Sequence, residues 1–143
     1  MLSGCGDFDV DAMFSLHAAP SNRGDVHALR GGHVACLHCP LYFAFETESA
    51  LTEKIISRNH LRPITEVSPE IRQIVDLVSR DAAWWEMTNP VQQDKIFWVG
   101  YKPKTAQPGL DPGFRLLIVR GKRSFFITSG HFNSADYTVR DSA

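Results

Sequence analysis

The feature that most limits how this chain can fold is the run Leu116-Leu117-Ile118-Val119, four aliphatic side chains with no polar residue among them. A strand that alternates apolar and polar residues can keep one face in water; a continuous apolar run points instead to a central strand. The segments Phe114 to Arg120 and Ser124 to Ser129 flank Gly121-Lys122-Arg123, a connection of the length hairpins favour. A central hairpin needs neighbours, and the other apolar segments supply them.

Residues Val26 to Leu29 and His33 to Glu46 suit a sheet, with Arg30-Gly31-Gly32 between them as a turn or bulge. Pro40 cannot donate to a ladder, so the second stretch is expected to kink there or to lie at an edge; beyond it Leu41, Phe43 and Phe45 share the core face. Lys95 to Lys102 reads as another strand, after Trp84-Trp85 and the Asn89-Pro90 break, and Pro103 to Gly113, with three prolines and two glycines, reads as a surface loop. Two helices lie between the strand groups. Ser49 to Asn59 places Leu51 and Ile55 inward, leaves Ile56 open between the inward face and its border, and puts Glu53, Lys54 and Arg58 in water. The second starts with Ser68 as N-cap, Pro69 in the first turn and Glu70 at the positive end, and Ile71, Ile74, Val75 and Val78 recur on one face. Strands, two helices and more strands imply an α+β domain: an antiparallel sheet of about five strands with two helices packed on one face. Val10 to Leu16 is open between a short helix and a strand, and residues 1–25 are the part the pattern fixes least.

The chain has 143 residues, 43% hydrophobic and 22% charged, which suits a single domain over 1–143. Lys plus Arg number 15 against 16 Asp plus Glu, so the chain lacks the strong field expected of a nucleic-acid or anionic-membrane binder. No stretch of 18 apolar residues offers a membrane span.

Cys36 and Cys39 form a C-x-x-C beside His33 and His38, four residue types that zinc accepts. The neighbouring residues read as strand, however. If His33 through Cys39 runs extended, the two sulfurs point to opposite faces with Cα atoms about 10 Å apart, poorly placed for chelation or a disulfide. No metal ligand set and no cofactor is therefore assigned, and the three cysteines are read as structural. The six histidines, His17, His27, His33, His38, His60 and His131, show no H-E-x-x-H or H-x-H spacing; His33, after two glycines, is the first choice if a catalytic site exists. No catalytic residue is assigned. Arg120, Lys122 and Arg123 at the hairpin tip read as a solvated turn.

Trp84 and Trp85 are adjacent, so on a regular element they cannot both face the core, and one is expected at a groove or interface. With Trp98 and Tyr101 they are the candidate binding residues, an aromatic groove that Phe97 would also line and to which Glu86 or Lys95 would add polar contacts.

Leu2-Ser3-Gly4-Cys5 is similar to the lipobox of bacterial lipoproteins, but Met1 stands where the apolar leader should be. As written the chain is expected in the cytoplasm; a leader upstream of Met1 would make Cys5 an envelope anchor and account for the odd cysteine count. Pro20-Ser21-Asn22, Arg30-Gly31-Gly32-His33, Tyr42-Phe43-Ala44-Phe45-Glu46 followed by a helix, and Trp84-Trp85 with Pro90 beyond resemble a loose group of small bacterial proteins. The group comprises uncharacterised lipoproteins and hypothetical proteins, some carried on mobile gene cassettes of the integron type. In it proline follows the double tryptophan closely; here Glu86 to Asn89 intervene. The resemblance implies bacterial origin, the α+β order and an envelope ancestry, and carries no catalytic residue. The resulting expectation is a non-enzymatic accessory module that binds a partner protein or small ligand through the aromatic groove, and that can dimerise through a sheet edge. The rival is a small enzyme with a Cys-His or metal site at His33, Cys36, His38 and Cys39.

Overall fold

Leu41 to Phe45 bury five consecutive side chains, and Ser124 to Thr128 do the same, so these strands send large groups to both faces of their sheet. The structure is a computed structural model that describes residues 9–18, 23–34, 40–105, 112–129 and 136–140. Among them are three helices, α1 (Val10–His17), α2 (Ser49–Arg58) and α3 (Pro69–Asp81), and seven strands. The strands are β1 (His27–His33), β2 (Leu41–Glu46), β3 (Arg62–Ile64), β4 (Lys95–Pro103), β5 (Gly113–Arg120), β6 (Arg123–Thr128) and β7 (Tyr137–Val139). The sheet order is β1-β2-β6-β5-β4-β3, every pair antiparallel, and β7 pairs with the far half of β4 beside β3. The α+β antiparallel reading holds, and the β5–β6 hairpin sits at its centre as the aliphatic run implied.

Two details differ from the sequence reading. Strands β3 and β7 raise the count from about five to seven. The two expected helices do not share a face: α3 covers one side, with Ile71, Val75 and Val78 against Tyr42, Ala44, Trp98, Leu116, Ile118, Phe125 and Ile127. The added helix α1 and α2 cover the other, with Phe14, Leu51 and Ile55 against Phe43, Phe45, Leu117 and Phe126. The reason is two-sided burial. Each fully buried Phe or Leu gains about 1.5–3 kcal/mol over exposure, and leaving either face in water would forfeit several such terms.

Gly31 and Gly32 are part of β1 and make no turn. They pair across the ladder with Phe43 and Tyr42. A Cβ on Gly31 would lie 2.6 Å from the Phe43 ring, and one on Gly32 2.7 Å from the Tyr42 hydroxyl oxygen, so glycine is needed where the aromatic side chains lie over the edge strand. The irregularity falls earlier, between the His27↔Glu46 and Arg30↔Ala44 pairs, where Ala28 has φ +54°.

Helix α2 ends in a Schellman motif: the Leu61 amide donates to the Ile56 carbonyl at 3.0 Å and the His60 amide to the Ser57 carbonyl at 3.2 Å. Asn59 is buried beneath it. Its amide donates to the carbonyls of Ala18 and Ile55, and its oxygen accepts from Arg115, so one side chain ties α1, α2 and β5. His60 occupies the left-handed position of the motif at φ +56°, where glycine avoids a Cβ clash. Because the imidazole is exposed, His60→Gly should stabilise the fold by about 1 kcal/mol, raising the thermal midpoint by about 3 °C; calorimetry on the two proteins measures it.

Candidate functional site

Helix α3 ends at Asp81, and the segment that follows, which turns at Ala83 and Trp84, packs on the α3 face of the sheet with Ala82, Trp85 and Met87 buried. Trp85 packs edge-on against Phe125 (5.2 Å between centroids) and Tyr42 (5.6 Å). Trp84 is half-buried beside it, under the Arg30 guanidinium at 4.6 Å. One indole thus enters the core and its neighbour stays at the surface. Trp98 is 3% exposed and stacked on Phe114, with the Arg140 guanidinium 5.8 Å from its ring. Tyr101 packs into the cluster on the opposite face. Residues 98 and 101 are three apart on one strand and so point to opposite sides. Trp84, Trp85, Trp98 and Tyr101 therefore do not line one groove, and of the three indoles only that of Trp84 reaches the surface.

The aromatic patch is also stapled from within. The Tyr42 hydroxyl donates to Asp81 Oδ2 at 2.6 Å, and burial together with that carboxylate holds the phenol well above its usual pKa, so it stays a donor.

The basic residues of the β5–β6 turn have separate fates. Arg120 holds Asp94 with two parallel bonds of 2.8 Å, and the Asp94 side chain is fully buried and also accepts from the Val91 amide. Arg123 binds Glu86 and, at 3.4 Å, Glu46. Lys122 has no such partner among the described residues and stands at the mouth of a cleft.

That cleft encloses about 740 Å³ between the start of α2 and the ends of β4 and β5. Its floor is apolar: Ile56, Phe97 and Val119, each half-buried. Register explains the floor, because Lys95 lies opposite Val119 and Phe97 opposite Leu117, which puts these side chains on the α1–α2 face. Helix α2 covers Leu117 and leaves Phe97 and Val119 partly open. The helix side of the cleft carries Glu48 and Glu53; the sheet side carries Lys95 and Lys122. No ion pair joins these four, and Glu48, the N-cap residue of α2, makes no side-chain capping bond. Thr47 and Thr52 are already committed, their hydroxyls donating to the carbonyls of Asp25 and Glu48. His27 and Glu46, a cross-strand pair, also line it. The sequence gives little warning of the cleft, since its charged residues look like solvated surface.

His33 ends β1 and is exposed; its Nδ1 lies 3.3 Å from the Val34 carbonyl oxygen. Cys5, Cys36, His38, Cys39 and His131 lie outside the described residues, as do Leu2 to Gly4 and Pro20 to Asn22. The Val34 amide donates to the Pro40 carbonyl at 3.0 Å; the expected extended run from His33 to Cys39 lies, beyond Val34, outside the described residues. No group of three His, Cys, Asp or Glu residues among the described ones is placed to hold a metal, and no described helix is long and apolar enough to cross a membrane. No family model, no curated protein and no solved structure matches the chain.

Two measurements follow. Acrylamide should reach only a minority of the tryptophan emission, and in Trp84→Phe the remainder should be shielded. Arg120 holds the Asp94 carboxyl below its usual pKa, so the stability this gives is present above about pH 3.9, the unfolded value, and is lost as pH falls toward the folded value. Urea midpoints taken from pH 5 down to pH 2.5 should fall, and Asp94→Asn, less stable at pH 5, should show a shallower slope and approach the wild type as pH falls.

Proposed function

We propose that this chain is a non-enzymatic accessory module that binds a small amphipathic ligand, and that the binding surface is the α2 cleft, with the Trp84 patch in a structural role. The observation that carries the reading is an open cleft with apolar lining in which Glu48, Glu53, Lys95 and Lys122, charges of both signs, make no ion pair among the described residues. Ligand sites typically occupy about 300–1,000 Å³ and combine apolar lining with a few polar groups, and this cleft fits both terms. A bacterial origin with an envelope ancestry belongs to the same proposal and rests on the sequence resemblance.

The test uses backbone amide NMR with 3-phenylpropanol, 3-phenylpropylamine and 3-phenylpropanoate as probes. At least one should shift the amides of Thr47, Phe97 and Gly121, and Ile56→Trp, which fills part of the floor, should weaken it about tenfold. Shifts confined to Arg30, Trp84 and Asp81 would return the site to the aromatic patch. Stoichiometric zinc or iron in untagged protein, together with a reactive Cys36 or Cys39 thiol, would favour the rival Cys-His or metal site instead.

A further inference from the structure

We infer that the cleft takes a zwitterion with separated charges: a linear peptide of two or three residues with apolar side chains, its amino end toward Glu48 and Glu53 and its carboxylate toward Lys95 and Lys122. The inference rests on the small-ligand reading of the same cleft and adds the ligand's chemical class.

Three observations carry it. First, the charges are segregated by element. The unpaired carboxylates come from the residue that opens α2 and from its second turn, and the ammonium groups come from the first residue of β4 and from the β5–β6 turn; the third lining carboxylate, Glu46 of β2, is paired with Arg123. A ligand of one sign would be attracted by one side and repelled by the other, whereas a dipolar ligand satisfies both in one orientation. Second, the opposite charges share a cleft without pairing with one another. A gap wider than an ion pair remains between them, and a molecule whose charges are similarly spaced can bridge it. A cavity of 740 Å³ has an edge of about 9 Å if taken as a cube, which is the reach of two or three extended residues at about 3.3–3.6 Å each. Third, Ile56, Phe97 and Val119 line the same cleft, so the body of the ligand meets apolar surface as well as charge. Among the other polar groups that line the cleft, Glu46 is held by Arg123 and the Thr47 and Thr52 hydroxyls bond to backbone, so these three do not compete for the ends.

The experiment compares four forms of leucyl-phenylalanine by the same amide shifts: free, N-acetylated, C-amidated, and blocked at both ends. The free peptide should bind about fivefold more tightly than either singly blocked form, and the doubly blocked form should be weakest. The preference should shrink as salt rises from 20 to 300 mM, because exposed charges are screened. The double variant Glu48→Gln/Glu53→Gln should lose discrimination at the amino end alone, and Lys95→Gln/Lys122→Gln at the carboxylate end alone. These four side chains are exposed and unpaired, so the variants should keep the wild-type thermal midpoint. Equal binding of all four peptides in the cleft overturns the zwitterion and leaves the small-ligand reading standing. Failure of the peptides while a phenylpropyl probe still shifts the cleft amides has the same meaning. If neither peptides nor phenylpropyl probes move those amides, both readings fall together.

Discussion

Strands β2, β6 and β5 lie side by side and bury side chains of both parities, so neither face of the sheet can be left in water. Cover has to arrive from both sides. On one side α3 and the Ala82–Met87 segment form a single layer over the sheet. On the other, α1 brings Phe14 against Phe43 and Phe45, at 5.4 and 4.8 Å, and so sits over β2. Helix α2 joins it with Leu51 and Ile55. Two short helices leave Phe97 of β4 and Val119 of β5 half-buried, and the cleft lies over them. The candidate site is thus a consequence of how the second face is closed.

The parts legible in the sequence are those whose information is local. The β5–β6 hairpin is set by an apolar run and a short turn, and α3 by Ser68, Pro69 and Glu70 at its start; Ser68 indeed accepts from the Ile71 amide. Helix α2 was legible as an amphipathic helix, but periodicity says only that a face turns inward and never which side of the sheet receives it. Strand β3 is Arg62-Pro63-Ile64 and β7 is Tyr137-Thr138-Val139. At three residues each they carry no period, and their pairing with β4 is decided by tertiary position. The glycines of β1 were misleading because a Gly-Gly pair has two physical uses, turning the chain and admitting a large neighbour, and only the register with Tyr42 and Phe43 separates them.

The same limit explains why the aromatic groove dissolves and the cleft was missed. Trp84 and Trp85 announce that one indole must surface, which is a local inference and agrees with the geometry. Joining them to Trp98 and Tyr101 relied on nearness in sequence, and the parity of β4 sends those two to opposite faces. The cleft draws on residues 46–56, 95–97 and 119–122. Each segment alone looks like an ordinary charged helix start, strand start or turn.

The choice of basic residue separates structure from availability. Arg120, Arg123 and Arg140 make the ion pairs that fasten distant segments, to Asp94, to Glu86 and Glu46, and to Glu70. Arg30 lies over Trp84, and Arg115 binds Asn59. A planar, multidentate guanidinium suits that fastening role because it loses less freedom per bond formed. No lysine among the described residues joins an ion pair, although Lys95 and Lys122 share a cleft with two unpaired glutamates. An ammonium on a flexible stem is a poor internal clamp and a good surface contact, since it can follow a ligand that enters and leaves. The fold is therefore held by arginines that are already engaged, and the charges left around the cleft can change partners without loosening it.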